Sequence, residues 1–535
     1  MQNIPPICAM FLTKFDVHTG YELRWFKSLD DNLYTSNDLE FKSMPSGLHS
    51  VNTDTICFVK RKGDLDVFLY GISIFKQNSH LQQINNDGTV DRSKVKLYSL
   101  GILIDPVHLE NLEEYRNWKP KIYSVAWNYK SDLSQLLTNF MNLSNDNEEK
   151  EFFNKFDSFF NNHSYKQLKD SINISNNLEI NKDKISPPSL KPVKSKASIL
   201  SSFSDKDFRT DHMIDTLIPF VNDFGPLIFK IWKISLLRKS IILYSPYNSS
   251  SICIDGNDEI LHDNFNIGDM SKFLFCMSLI SSIPKNLEDS LKKSVKRDIT
   301  DLLFNRPIYN VCVNDIYELV KLDTNYLAST TDQIIIEKEK LYDYSIRLPL
   351  NVLYNNSVNV PEIHNSITDK LEYASPKDYE RFKIIYSKLN NNTAEENPIA
   401  NKVSESRSIQ ELIWNGLSWW ASAGETFTSI HEEFNIEFEY FDNLSSDTVE
   451  KLIMLVGYFQ QITIKLFNGL IELKERHDIE NGEDSIMILD AHDMIEIGLD
   501  PYSSSDCAFV VELIKVWWKM DSKVGNYFDD LCYWY

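Results

Sequence analysis

Residues 211–248 read DHMIDTLIPFVNDFGPLIFKIWKISLLRKSIILYSPYN, and the period of the apolar positions changes partway along. From Asp211 to Lys239 they return every three or four residues, the spacing of an amphipathic helix. Phe224-Gly225-Pro226 interrupts that pattern, because Gly weakens and Pro breaks a helix interior, so one or two helices are expected, with Asp211 as the N-cap. SIILYSP (240–246) is instead a short unbroken apolar run closed by Ser-Pro, as in a strand buried on both faces. DMSKFLFCMSLISSIP (269–284) returns to helical spacing, and IYNVCVNDI (308–316) and DQIIIEK (332–338) are strand-like. Helices alternating with short apolar strands predict an α/β layer with a parallel sheet over 211–350.

Upstream the pattern differs. Residues 4–16 and 21–27 predict two strands joined by a turn at DVHTG; TICFVKR (55–61), DVFLYGISIFK (66–76) and VKLYSLGILI (95–104) predict three more. Five strands in hairpin order imply an antiparallel sheet, with helices at 106–117 and 131–142 covering a face. This first module is assigned residues 1–142.

Residues 143–210 are assigned to a linker, although NDNEEKEFFNKFDSFFNNH (145–163) has an amphipathic helix pattern with its Phe residues on one face. NKDKISPPSLKPVKSKAS (181–198) has little to bury and is locally basic. A solvated tether is the preferred reading over an anionic-lipid or phosphoregulatory site. Residues 351–406 form an Asn-rich, partly flexible connector, and 407–535 carry long helical patterns, so the last block is mainly α.

At 535 residues the chain exceeds one compact core. A net charge of −22 argues against nucleic acid as the main partner. Seven irregularly spaced cysteines, with no CxxC pair, suit reduced buried thiols and a cytoplasmic setting. The opening residues lack a signal-peptide pattern, and no apolar run has the ~18 residues of a membrane span.

The motif search excludes much. There is no Walker loop, GxGxxG after a strand, HExxH or GxSxG, and only 16 glycines. His492, Asp493 and Glu496 suit helix capping better than metal ligation, and His431-Glu432-Glu433 lacks a second histidine. Paired tryptophans at 419–420 and 517–518, with Trp414, suit core packing. In FKSMPSGLH (41–49), Met44-Pro45-Ser46-Gly47 has type I turn preferences, and no acid stands by to orient His49 toward Ser46. No catalytic residue, metal or cofactor is expected.

Placed early in a small sheet domain, EFKSMPSGLHSVNTDTICFV (40–59) resembles the N-terminal module of DENN-domain proteins of the LCHN type. LLRKSIILYSPYN (236–248), NVCVNDI (310–316) and ASTTDQIIIEKEKLYDYSIRLP (328–349) resemble later pieces of that module, in order. WNGLSWWASAGE (414–425) and IGLDPYSSSDCAFVVELIKVWW (497–518) resemble the C-terminal region of fungal LCHN relatives. The resemblance implies a tripartite α/β architecture: a longin-like antiparallel sheet with helices, a Rossmann-like central module, and a mainly α-helical C-terminal part.

It also implies guanine nucleotide exchange on a Rab-type small GTPase in membrane traffic, with peripheral association with intracellular membranes left open. The implied contact surface lies where the first two modules meet. Its candidates are the turn Lys42, Ser43, Met44, Pro45, Ser46 and Gly47, the basic pair Arg238 and Lys239, and the loop Thr330, Thr331 and Asp332. Two alternatives compete. One is a GTPase-activating protein using an arginine finger, for which Arg24, Arg61 and Arg92 lie in or near the first module. The other is a non-catalytic scaffold for vesicle or lipid surfaces.

Overall fold

A computed structural model describes residues 6–16, 18–45, 51–63, 67–78, 95–110, 120–143, 146–164, 212–246, 267–322, 325–349, 360–390, 397–405, 448–482 and 485–525. The turn residues Ser46, Gly47 and His49, the cap candidate Asp211, Arg92, the basic segment 181–198, the tryptophans at 414 and 419–420, and His431 lie outside the described residues.

The first module is the expected antiparallel sheet. Strands β1 (Ala9–Asp16), β2 (Gly20–Ser28), β3 (Thr53–Arg61), β4 (Phe68–Gln77) and β5 (Leu97–Ile104) lie in the order β2-β1-β5-β4-β3. Its central strands are buried on both faces, which is why β4 and β5 read as unbroken apolar runs. Gly71 and Gly101 lie under the rings of Phe58 and Phe11; a Cβ on either would collide with the ring above it. The helix Asp146–His163 belongs to this module. Its Phe152, Phe156 and Phe160 are buried, and Trp25 of β2 packs on Phe156 with ring centroids 5.3 Å apart. The packed part of the module therefore runs to residue 164, and the segment assigned to a linker opens with a core helix.

In the central module the apolar stretch forms the helices Leu217–Phe224 and Leu227–Leu236, divided at Gly225, whose φ of 56° suits a residue without a Cβ. His212, rather than Asp211, caps the preceding turn, its Nδ1 accepting the Ile214 N–H at 3.1 Å. Strands β6 (Ile241–Tyr244), β7 (Arg306–Ile308), β8 (Tyr326–Thr330), β9 (Tyr344–Arg347), β10 (Glu362–Asn365) and β11 (Lys370–Glu372) form a sheet ordered β11-β10-β9-β6-β8-β7. β9-β6-β8-β7 are mutually parallel, whereas β10 and β11 add antiparallel to one edge.

Two strand expectations are corrected. The strand at 308–316 ends at Ile308, because Asn310 turns with φ 50° and a capping box between Cys312 and Asp315 starts a helical turn. DQIIIEK is a helix, Gln333–Ile336: Asp332 Oδ1 accepts the Ile334 N–H at 3.0 Å, and that cap outweighs the β-propensity of three isoleucines. The region 351–406 also holds more order than its composition suggests, with the β10–β11 hairpin and the helix Pro376–Leu389.

The C-terminal region is mainly helical, with helices Thr448–Asn481 and Ser504–Trp518 and a small parallel pair, β12 (Met487–Leu489) and β13 (Ser522–Val524). It shares one continuous core with the other two modules, from Met10 and Ile72 through Ile231 to Trp517. Trp232 Nε1 donates to Thr463 Oγ1 and Trp517 Nε1 to the Leu236 carbonyl, both at 3.0 Å. Among the described residues no helix is long and apolar enough to cross a membrane.

Candidate functional site

The turn at residues 42–45 and the loop at 330–332 come together. Helix Leu39–Lys42 lies across one face of the first sheet, and Lys42 extends back to the Val59 carbonyl (3.1 Å) and to Asp315 of the central module. Asp315 is placed by its capping box, its other oxygen accepting the Cys312 N–H at 3.0 Å and the Cys312 thiol at 3.3 Å. A second ion pair crosses the same seam: Arg61, ending β3, meets Glu318 at 2.5 Å. Tyr309 adds a hydroxyl bond to the Tyr123 carbonyl at 3.1 Å.

Between these contacts lies a cavity of about 270 Å³. Phe41, Lys42 and Met44 line it from the first module; Asn310–Cys312 and Thr331–Gln333 line it from the central one. It opens beyond the carboxyl ends of β7 and β8, the end of a parallel sheet where α/β folds place their ligands. Thr330 is fully buried and ties the wall together, donating to the Val311 carbonyl at 2.8 Å and accepting the Asp332 N–H at 3.0 Å. Burial, with Asp315 adding to it, pushes the Cys312 thiol up to about 11, so it stays protonated and un-nucleophilic near neutral pH.

Ser43 faces inward. Its hydroxyl bonds Thr13 Oγ1 at 2.9 Å, and its carbonyl accepts from Ser73 (2.8 Å) and Ser99 (2.7 Å). It anchors the turn to the sheet beneath it. Met44 and Pro45 are buried with it.

Arg238 and Lys239 are elsewhere. They precede β6, whereas Thr330 ends β8 and pairs with Tyr244, so the basic pair sits at the opposite end of the parallel sheet. Arg238 is 3% exposed, and its guanidinium donates to the Leu302 (2.6 Å), Ser235 (2.7 Å), Ser281 (3.0 Å) and Leu303 (3.3 Å) carbonyls. Lys239 pairs with Glu512 at 2.7 Å. Of the arginines, Arg61 is held in the seam, and Arg24 is partly exposed on β2, 3.9 Å from Glu22. Asp493 forms a capping box with Asp490, and no group of three metal-type side chains gathers among the described residues.

One surface escaped the sequence reading. Val313, Tyr317 and Val320 are 41, 66 and 61% exposed, spaced i, i+4, i+7 along one face of the turn and helix that begin at Val313. The opposite face carries Asp315 and Glu318 into the seam. Phe41 inside the cavity and Ile334 beside Gln333 are each about half exposed. Phe41 thus lines the cavity, Val313 and Ile334 adjoin residues that line it, and Tyr317 and Val320 continue the exposed apolar face along the helix. Its sequence signal was the run VNDIYELVKL, which has more apolar residues than one buried helix face uses.

Residues 10–358 match the family model described as DENN domain-containing protein 11, and residues 473–533 match a domain of unknown function (DUF4484). The chain is 26% identical to the uncharacterized protein ANR2 of Saccharomyces cerevisiae, over 98% of this chain and 93% of that protein. It is 22% identical to DENN domain-containing protein 11 of Danio rerio, over 64% of this chain and 53% of that one. For the Rattus norvegicus protein of the same description the figures are 23%, 70% and 63%. The chain spans roughly half to two thirds of the length of these two vertebrate relatives.

Proposed function

Because the chain belongs to the DENN domain-containing protein 11 family, we propose that it is a guanine nucleotide exchange factor for a Rab-type small GTPase, docking that GTPase over the seam cavity. The observation that carries the reading is the exposed apolar surface at the seam: Phe41 in the cavity and Val313, Tyr317 and Val320 along one helix face stand on elements that two ion pairs hold in fixed relation. Aromatic anchors on a rigid frame are what a protein partner needs, since preorganisation reduces the entropy lost on docking.

Exchange requires no nucleophile. A nucleotide held at nanomolar to picomolar Kd represents about 12–16 kcal/mol, and an exchange factor must offset several of these by binding the empty GTPase better than the loaded one. The phosphates and Mg²⁺ order the switch loops of a small GTPase, so a surface that holds a switch loop in another arrangement weakens the nucleotide. The seam offers a cavity to receive one side chain of such a loop and an apolar rim to hold its neighbours.

The test is release of fluorescent GDP from a panel of Rab GTPases after addition of excess GTP. Acceleration with one Rab, and preferential binding of that Rab when stripped of nucleotide, is expected. A complete panel without acceleration overturns the exchange reading.

A further inference from the structure

We propose that the seam cavity takes a lysine or arginine side chain of the docked GTPase and that Asp332 receives its charge, a specificity that rests on the exchange reading of the same site. The walls of the cavity carry two charged groups among the described residues, Lys42 and Asp332. Lys42 is engaged within the protein: its ammonium is committed to Asp315 and to the Val59 carbonyl, and its side chain is 9% exposed. Asp332 has no such counterpart. Its Oδ1 accepts the Ile334 N–H at 3.0 Å, and neither a cation nor a further donor among the described residues engages Oδ2. A half-buried carboxylate without its own cation makes the cavity an acceptor of positive charge.

The rest of the lining suits the long apolar stem of such a side chain. Phe41, Met44 and Val311 supply apolar surface, and the half-exposed Phe41 ring can stack on a guanidinium or an ammonium. Asn310 is held in a left-handed turn with φ 50°, its N–H donating to Ser329 Oγ at 3.0 Å. Its side-chain amide has no bond of its own among the described residues and adds a carbonyl oxygen that accepts an N–H. The frame is fixed on the other side too: Thr330 Oγ1 accepts the Asp332 N–H at 3.0 Å, and Gln333 is tied to Glu337 at 2.9 Å.

An apolar side chain in this cavity would bury the Asp332 carboxylate without a partner, and an acidic one would face it directly, so the cavity discriminates against both. The net charge of −22 acts in the same direction at longer range, drawing the basic face of a partner toward the protein.

The test uses the full chain and the Rab whose GDP release it accelerates. Asp332→Asn removes the charge but keeps a capping oxygen, so the helix Gln333–Ile336 and the melting temperature are expected to stay as they are. The kcat/KM for GDP release is expected to fall about tenfold or more. Each lysine and arginine of that Rab is then changed in turn to glutamine. One of these variants is expected to lose exchange to a similar degree and, combined with Asp332→Asn, to lose no more than either change alone. Full exchange with Asp332→Asn, where Tyr317→Asp abolishes it, overturns the cation pocket and leaves docking at the seam standing. A loss with Asp332→Asn that is additive with every Rab variant also overturns the pocket. Full exchange with both Asp332→Asn and Tyr317→Asp, or no Rab accelerated at all, overturns it together with the docking reading.

Discussion

The Lys233 ammonium donates to Asp378 at 2.6 Å and to Asp506 at 2.5 Å, with all three side chains sealed from solvent. The lysine lies on a central-module helix, and the two acids lie 145 and 273 residues further along. Desolvation alone would disfavour every charge in this group; the opposed charges overcome it, so Lys233 titrates above its ordinary value and Asp506 below. Both acids have second duties: Asp378 accepts the Ser375 N–H at 3.2 Å, and Asp506 accepts the Asp500 N–H at 2.9 Å.

Lys233→Met should therefore leave two carboxylates buried without their cation. A destabilisation of about 3–5 kcal/mol is expected, since breaking a buried pair costs far more than its net worth. Urea denaturation measures it, and a loss below about 1 kcal/mol would show that water reaches the group. For the same reason a fragment ending at residue 358, where the DENN match stops, should fail to fold: it loses both acids, Trp517 and Thr463 from around the helix Leu227–Leu236.

Asp54 and Asp223 should each lower stability as pH rises from about 4 to 7, opposed by His108, which burial holds below its ordinary value. Desolvation raises the Asp54 carboxyl from 3.8 to about 7, opposed by the Thr55 N–H and reinforced by Asp269; desolvation and Asp269 raise Asp223 to about 6. Over that window these two carboxyls hold protons in the folded chain that the unfolded chain has released, so through them each pH step upward favours unfolding. At pH 8 the Asp54 charge costs on the order of 4 kcal/mol at most. Asp54→Asn should flatten the profile and stabilise the protein at pH 8, as thermal melts across pH would reveal. Asp506 acts in the opposite sense, its contribution being lost below about pH 3.8.

Gly101→Ala tests the packing beneath Phe11. The added methyl meets the Phe11 ring and comes within 2.9 Å of the Ile72 carbonyl, so both neighbours resist it. Overpacking of this kind costs about 1–3 kcal/mol. A neutral result would mean that the ring swings aside, which a shifted near-UV circular dichroism signal would register.

What the sequence made legible was periodicity. The five antiparallel strands, the break at Gly225, the buried strand β6 and the two long C-terminal helices follow from local spacing. Intrinsic propensity puts three isoleucines in a strand, and the hydrogen bond that Asp332 accepts from the Ile334 N–H decides otherwise. Arg238 and Lys239 looked like surface cations because most arginines are. Only the fold reveals that Arg238 closes on three carbonyls remote in sequence, those of Leu302, Ser281 and Leu303, and lies across the Trp517 ring at 5.6 Å. The seam is likewise non-local: Lys42 meets Asp315 across 273 positions, which no local pattern encodes.

The seam ion pairs should differ in worth. Lys42 and Asp315 are 9 and 14% exposed, Arg61 and Glu318 21 and 28%. A double-mutant cycle on Arg61 and Glu318 should return about 0.2–1 kcal/mol, and the Lys42–Asp315 cycle more, because less water screens it. Equal couplings would mean that the seam opens in solution.

The exposed stripe separates docking from folding. Tyr317 and Val320 are more than half exposed, so Tyr317→Asp and Val320→Asp should change stability by less than about 0.5 kcal/mol. If a GTPase docks there, each replaces an apolar anchor by a charge buried in the interface, and losing an anchor worth about 2 kcal/mol lowers affinity roughly thirtyfold. GDP release should slow in proportion while melting temperatures stay fixed. Leu319→Asp is the contrasting case: it faces the core at 2% exposure and should unfold the helix. Stripe variants that retain full exchange activity would move the GTPase off this face, since the three exposed side chains Val313, Tyr317 and Val320 are the anchors that the docking requires.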